Sequence, residues 1–238
     1  KLDLLVTNIA GSNINVLLGA GTGSFGTATT IVTGGTNPFA SAVVDVNRDK
    51  IPDLLIPNNT SNDVSVLLGN GTGGFGTATN FTVGTTPVAI AAADLSGDGK
   101  PDLVTANNGS GNASVLVNNG TGGFGTAAPF TAGTNPISVA IGDFNADMKA
   151  DLAVANAGGS NVSILLGTGT GTFGTATNFG SGASTNSVSV GDFNADMKLD
   201  LVVLGTSALN TNAFVLQNNG TGGYPITPTV TLTTGGTT

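Results

Sequence analysis

Cysteine, histidine, glutamate and tryptophan are all missing from this chain of 238 residues, and each absence removes a class of chemistry. Without cysteine there are neither disulfides nor thiolate metal ligands. Without histidine and glutamate as well, the acids, bases and nucleophiles open to an enzyme reduce to Asp, Lys and hydroxyl groups, and no motif pairs a hydroxyl with a base. The lack of Trp, with a single Tyr, withdraws the aromatic faces best suited to stacking on sugars. Charge is scarce too: 14 Asp and six basic residues give a formal net charge of −8. So few cations form no basic patch, which argues against nucleic acid and anionic membranes as partners. No apolar run approaches the roughly 18 residues of a membrane-spanning helix, so membrane insertion is not expected. The chain opens on Lys1 rather than Met, as expected of a processed or excised segment.

What remains is apolar, glycine-rich and repetitive. Hydrophobic residues make up 39% of the chain, enough for a substantial core, and 38 Gly with nine Pro indicate many tight turns. Asp45, Asp94, Asp143 and Asp192 lie 49 residues apart, and Phe25, Phe75, Phe124, Phe173 and Tyr224 recur at nearly the same interval. A fixed period of this length marks a repeat array. Each unit reads as four short strands, as in "ISVAIGDF" (137–144), "DLAVANAG" (151–158), "NVSILLGTGTGTFG" (161–174) and "TATNFGSG" (175–182). Gly and Asn turns bound them, and no segment has a helical period. "VSVLLGN" (64–70) and its copies are nearly continuous apolar runs, as suits strands covered on both faces by stacked sheets.

The expected fold is all-β: a β-propeller of five four-stranded repeats, with residues 1–238 forming one domain. The repeats fall at about 1–36 (partial), 37–85, 86–134, 135–183 and 184–238. Residues 1–33 provide no copy of "ISVAIGDF", so the first blade lacks its innermost strand. A longer parent chain, imperfect closure of the ring or a strand from another molecule would each account for that.

Twelve of the 14 Asp lie in four loops: "DVNRDKIPD" (45–53), "DLSGDGKPD" (94–102), "DFNADMKAD" (143–151) and "DFNADMKLD" (192–200). Oxygen-bearing side chains at positions 1, 3, 5 and 9, with the carbonyl of position 7, form the donor set of a calcium loop. The candidate ligands are Asp45, Asn47, Asp49, Ile51 and Asp53 in the first loop, and Asp94, Ser96, Asp98, Lys100 and Asp102 in the second. Asp143, Asn145, Asp147, Lys149 and Asp151 form the third set, and Asp192, Asn194, Asp196, Lys198 and Asp200 the fourth. Ile51 and the three Lys would contribute main-chain carbonyls only. Without a cation, three neighbouring carboxylates repel one another and raise their own pKa values. Calcium (Ca2+) at about four sites would remove that conflict, whereas magnesium prefers a strict octahedron and retains its waters. Position 6, where such loops favour Gly for a sharp turn, holds Gly99 in one loop only. Lys50, Met148 and Met197 fill the others, which are expected to be strained or to bind less tightly.

The stretch "DLSGDGKPDLVTANNGSGNASVLVNNGTGGFG" (94–125) resembles the FG-GAP/VCBS-type repeat, the calcium-binding propeller blade of integrin α-subunit heads, some fungal lectins and many secreted bacterial proteins. The resemblance extends over essentially the whole chain and implies a calcium-binding propeller. A family that spans adhesion, sugar binding and scaffolding implies no single ligand. The Gly-Ala-Pro element is missing, and Thr72, Thr121 and Thr221 stand where the family often has an acidic residue after Asn-Gly.

The expected function is a secreted or cell-surface structural or adhesive module, not an enzyme. A Thr/Asn/Gly surface short of charge favours self-association, and the open first blade with the tail "TPTVTLTTGGTT" (227–238) would suit a head-to-tail filament. Carbohydrate binding is the alternative, although Tyr224 occupies the recurring Phe position and is expected to be buried. Asn-x-Ser/Thr sequons at Asn58, Asn59, Asn70, Asn80, Asn108, Asn112, Asn119, Asn161 and Asn219 are what a chain rich in Asn and Thr produces by chance.

Overall fold

A computed structural model describes residues 1–181, 184–206, 211–224 and 230–234, and contains no helix among them. Short β-branched segments divided by Gly and Asn turns form five antiparallel sheets in chain order. Sheet one has three strands, β1 (Leu4–Asn8), β2 (Asn13–Leu17) and β3 (Thr29–Val32). Sheet two comprises β4 (Ala42–Val44), β5 (Asp53–Asn58), β6 (Asp63–Leu67) and β7 (Thr79–Thr82). Sheet three comprises β8 (Pro87–Ala93), β9 (Asp102–Asn107), β10 (Asn112–Leu116) and β11 (Ala128–Thr131). Sheet four has β12 (Pro136–Gly142), β13 (Asp151–Asn156), β14 (Asn161–Leu165) and β15 (Thr177–Gly180). Sheet five has β16 (Ser184–Gly191), β17 (Asp200–Thr206), β18 (Thr211–Leu216) and β19 (Val230–Thr234). The four-strand unit and the three-stranded first sheet are those expected from the sequence.

The core lies between sheets rather than within them. Leu54, Ile56 and Leu67 of sheet two close on Ile14 of sheet one, while Leu55, Val64 and Val66 face the other way, onto Leu103 and Leu116. The same division recurs where Leu152 and Leu165 meet Val104 and Val115, and where Leu201 and Leu216 meet Ala153 and Ile164. β5, β9 and β13 are consequently buried along their whole length. Edge-to-face pairs Phe81–Phe124, Phe130–Phe173 and Phe179–Tyr224 cross three of these interfaces with ring centroids 5.4, 5.3 and 5.5 Å apart. Tyr224 is buried, as expected, and its hydroxyl donates to the Leu199 carbonyl at 3.0 Å. Desolvation pushes its phenol pKa up, and the charges of Asp200 and Asp151 push it further. No core cluster joins the first sheet to the fifth among the described residues, so the propeller-like array is not closed.

One repeated device escaped the sequence reading. The Nδ2 groups of Asn8, Asn58, Asn107 and Asn156 donate across their hairpins to Asn13, Asp63, Asn112 and Asn161 at 2.7 to 2.8 Å. Asp63, the one acidic residue unrelated to the loop pattern, is therefore a hairpin acceptor. Asn58 heads a sequon yet is fully buried, which denies it to glycosylation in the folded protein.

Candidate metal centre

Each acidic loop joins the innermost strand of its sheet to the next, β4 to β5, β8 to β9, β12 to β13 and β16 to β17. Position 1 organises the turn. Asp94 accepts the NH groups of Gly97, Asp98 and Gly99 at 2.7, 3.1 and 2.8 Å. Asp45, Asp143 and Asp192 take the amides of positions 5 and 6 in the same way. This curl places positions 4 and 6 in the left-handed region throughout: Arg48 and Lys50, Gly97 and Gly99, Ala146 and Met148, Ala195 and Met197 all have φ between 60° and 77°. The expected strain is present in loops one, three and four, where it falls on two positions rather than one, and glycine relieves both in loop two.

Met148 is 95% exposed, so its side chain contributes no packing. Replacement of Met148 by Gly is expected to raise stability by about 0.5–1 kcal/mol, because the left-handed penalty of roughly 1–2 kcal/mol exceeds the entropy that Gly adds to the unfolded chain. Urea midpoints of the two proteins would measure it, and an unchanged or lower midpoint would refute the strain.

Positions 3 and 5 are exposed or half-buried, with the hydroxyl of Ser96 turned inward. Asn47, Asn145 and Asn194 accept the amide of position 5, and each position-5 Asp accepts that of position 7. Lys100 lies 2.7 Å from Asp98, Lys149 3.3 Å from Asp147, and Lys198 3.6 Å from Asp196. In loop one, where position 7 is Ile51, Asn47 Nδ2 donates to Asp49 instead, at 2.9 Å. The hydrogen bond from the Lys100 side chain, and then that from its amide, hold Asp98 below the ordinary carboxylate value. For Asp147 and Asp196, desolvation acts upward but is outweighed by the amides and ammonium groups of Lys149 and Lys198 together with Asn145 and Asn194, leaving both lowered.

Position 9 is different in kind. Asp53, Asp102, Asp151 and Asp200 are fully buried, and each carboxylate is a brace between two backbone segments. One oxygen accepts the amide of loop position 2 (Val46, Leu95, Phe144, Phe193). The other accepts the amide just beyond the following hairpin, from Gly69, Asn118, Gly167 or Asn218. Asp102 also accepts the Ser96 amide, at 2.9 Å. The spacing marked these residues as ligands and gave no sign of the second partner, which lies 16 or 18 positions away. Burial raises the Asp151 pKa; the Gly167 and Phe144 amides oppose it, and the charges of Asp147 and Asp143 raise it further. The mutual repulsion expected of neighbouring carboxylates thus adds to the effect of burial at Asp151, whereas at Asp98, Asp147 and Asp196 hydrogen bonds and the adjacent Lys prevail and the pKa falls.

As they stand, no three acidic side chains among the described residues form a ready cluster for a metal ion. The donor chemistry nevertheless suits a hard cation. Each loop carries carboxylates at positions 1 and 5 and a neutral oxygen at position 3. The Asn-Gly turns take no part. There, Asn70, Asn119 and Asn219 accept from the hydroxyls of Thr72, Thr121 and Thr221, which is what Thr contributes in place of an acidic residue.

Three solved structures place the fold. A Lactobacillus plantarum protein superposes with a TM-score of 0.70 at 17% identity, covering 95% of this chain and 67% of its own. An Agrocybe aegerita lectin that recognises non-reducing terminal N-acetylglucosamine gives 0.60 at 17% identity, covering 99% of this chain and 67% of its own. The V. cholerae biofilm matrix protein Bap1 gives 0.57 at 16% identity over 92% of this chain, which spans only 34% of Bap1. A comparison with curated proteins finds no match. The FG-GAP-like repeat model matches residues 1–56, 45–105, 94–154 and 143–203, three of the four matches beginning on the first Asp of an acidic loop. With most of its length and three loop starts accounted for in this way, the chain belongs to the FG-GAP-like repeat family.

Proposed function

We propose that this protein is a calcium-stabilised, non-enzymatic structural or adhesive module, secreted or displayed at a cell surface, that associates with copies of itself. The observation that carries the reading is the fourfold recurrence of one oxygen-rich loop, kept at left-handed backbone cost in three copies that lack glycine. Positions 1, 3 and 5 with the position-7 carbonyl would face the ion, and position 9 would approach it with the remaining lone pairs of a braced carboxylate. Bound calcium would supply charge neutralisation, displacing the Lys ammonium groups from position 5. The absence of enzymatic function is inferred from the residue inventory, since propeller-like folds host many activities.

Self-association draws support from a surface short of charge, with 14 Asp and six Lys or Arg in 238 residues to keep copies apart. The likeness to a biofilm matrix protein accords with an assembling role. Electron microscopy of the purified protein in millimolar calcium, repeated after chelation, tests the proposal: filaments or sheets that loosen on chelation are expected, and dispersed particles in both conditions would overturn it.

Glycan binding is the second reading, favoured by the lectin likeness and by the exposed rings of Phe25, Phe39 and Phe193. Saturable binding on a glycan array by a dispersed particle would select it.

A further inference from the structure

Asn118 and Asn218, which stand just beyond β10 and β18, are buried polar residues outside the acidic loops. The Asn118 amide donates to Asp102 at 2.8 Å, its Nδ2 donates to the Val46 and Pro101 carbonyls at 2.8 and 2.9 Å, and its Oδ1 accepts the Gly120 amide at 2.7 Å. Asn218 repeats the arrangement with Asp200, Phe144, Leu199 and Gly220 at 2.9, 2.8, 3.1 and 2.9 Å. Val46 is position 2 of loop one, on sheet two, whereas Asp102 is position 9 of loop two, on sheet three. An unbroken hydrogen-bonded path therefore joins one braced carboxylate to the next. Asp53 accepts the Val46 amide at 2.9 Å, the Val46 carbonyl accepts Asn118 Nδ2, and the Asn118 amide reaches Asp102. Asp151, Phe144, Asn218 and Asp200 form the same path between loops three and four. Between loops two and three it is interrupted. The equivalent residue there is Gly167, which has no side chain to donate and whose Cβ would stand 2.1 Å from the Ala150 carbonyl oxygen. The Leu95 carbonyl takes the Gly171 amide instead, at 2.9 Å, while Asp151 is held by the separate amide of Gly167.

We infer that the four acidic loops work as two coupled pairs, one with two and three with four, and that Asn118 and Asn218 are the positioning residues that couple them. Whatever fixes the Val46 peptide also fixes the Asn118 side chain, and with it the amide presented to Asp102. Filling one loop of a pair thus orders part of its partner in advance, and the partner then binds more tightly. Loops two and three, which face each other across Gly167, fill independently. The pairing rests on the hydrogen bonds alone, whereas its consequence for affinity rests on the calcium reading above.

Amide exchange of the full chain in chelator, read residue by residue by NMR, tests the pairing without metal. Asn118→Gly installs the residue that the chain itself carries at 167, and is expected to speed exchange of the Val46 amide at least about fivefold. The Phe144 and Phe193 amides, at position 2 of loops three and four, should keep their rates. Asn218→Gly should do the converse, releasing Phe144 and sparing Val46, and Asn118→Ala replaces the first variant if that does not fold. An unchanged Val46 amide, or acceleration spread evenly over all four loops, would overturn the inference. In a calcium titration the Gly99 amide reports the filling of loop two. Asp45→Ala is expected to raise its midpoint about fivefold or more and Asp143→Ala to leave it in place, so equal midpoints for the two variants would also overturn the pairing. If no loop responds to calcium while the exchange pattern in chelator holds, the calcium reading falls and the pairing stands.

Discussion

Calcium at about 10 mM should raise the unfolding free energy of the chelated protein by roughly 10 kcal/mol. An extracellular-type loop with a Kd near 0.1 mM contributes about 2.7 kcal/mol at a hundredfold excess, and four loops add if the array unfolds as a unit. The urea midpoint followed by circular dichroism would measure it, with magnesium at the same concentration as the control. Because Asp151 titrates above its ordinary value, its ionised form costs folding free energy in chelator at neutral pH. That cost disappears as the pH falls through the raised value, where protonation also opposes metal binding, so the calcium-dependent gain should shrink toward acid. An unchanged midpoint would remove calcium from the account. A gain abolished by Asp94→Ala alone would confine binding to the loop that carries Gly at positions 4 and 6.

The second large effect is expected without any metal. Asp102→Ala in chelator should cost roughly 3–5 kcal/mol, since it strands buried amides that a charged acceptor now satisfies. Those donors are Leu95, Ser96 and Asn118, at 3.0, 2.9 and 2.8 Å. Asp94→Ala under the same conditions should cost far less, because Asp94 and the amides it holds are exposed and water replaces the lost acceptor. The contrast separates the two jobs within one loop. If both substitutions cost the same in chelator, the division into brace and ligand is wrong.

Much of the fold was legible because period, strand pattern and turn residues agreed with one another. The 49-residue spacing of Asp45, Asp94, Asp143 and Asp192 delimited the units, and the absence of a "ISVAIGDF" copy before Asp3 foretold the three-stranded sheet. Tyr224 could be placed inside because it shared a register with Phe residues. Ring closure was not legible, since it depends on small rotations between sheets that no single residue encodes. Within the loops, the left-handed turn at Met148 could be anticipated from position 6, whereas that at Ala146 could not, because nothing in an Ala reports its φ. The brace role of Asp53 and its equivalents was hidden for another reason: its partner Gly69 is distant in sequence and donates through the backbone. In the sequence Asn58 reads as a sequon and Asn8, Asn107 and Asn156 draw no separate reading, although their recurrence at the end of each first hairpin strand carried the signal.

Among the described residues every inter-sheet core draws on two consecutive sheets, and largely the same positions serve each time, Phe214 in place of a Ser being an exception. A gene encoding such an array can therefore gain or lose one whole repeat by unequal recombination, and the new junction inherits side chains already shaped for each other. Copy number becomes a heritable variable that needs no compensating substitutions, so that descendants of one ancestral unit can differ in length far more readily than in packing.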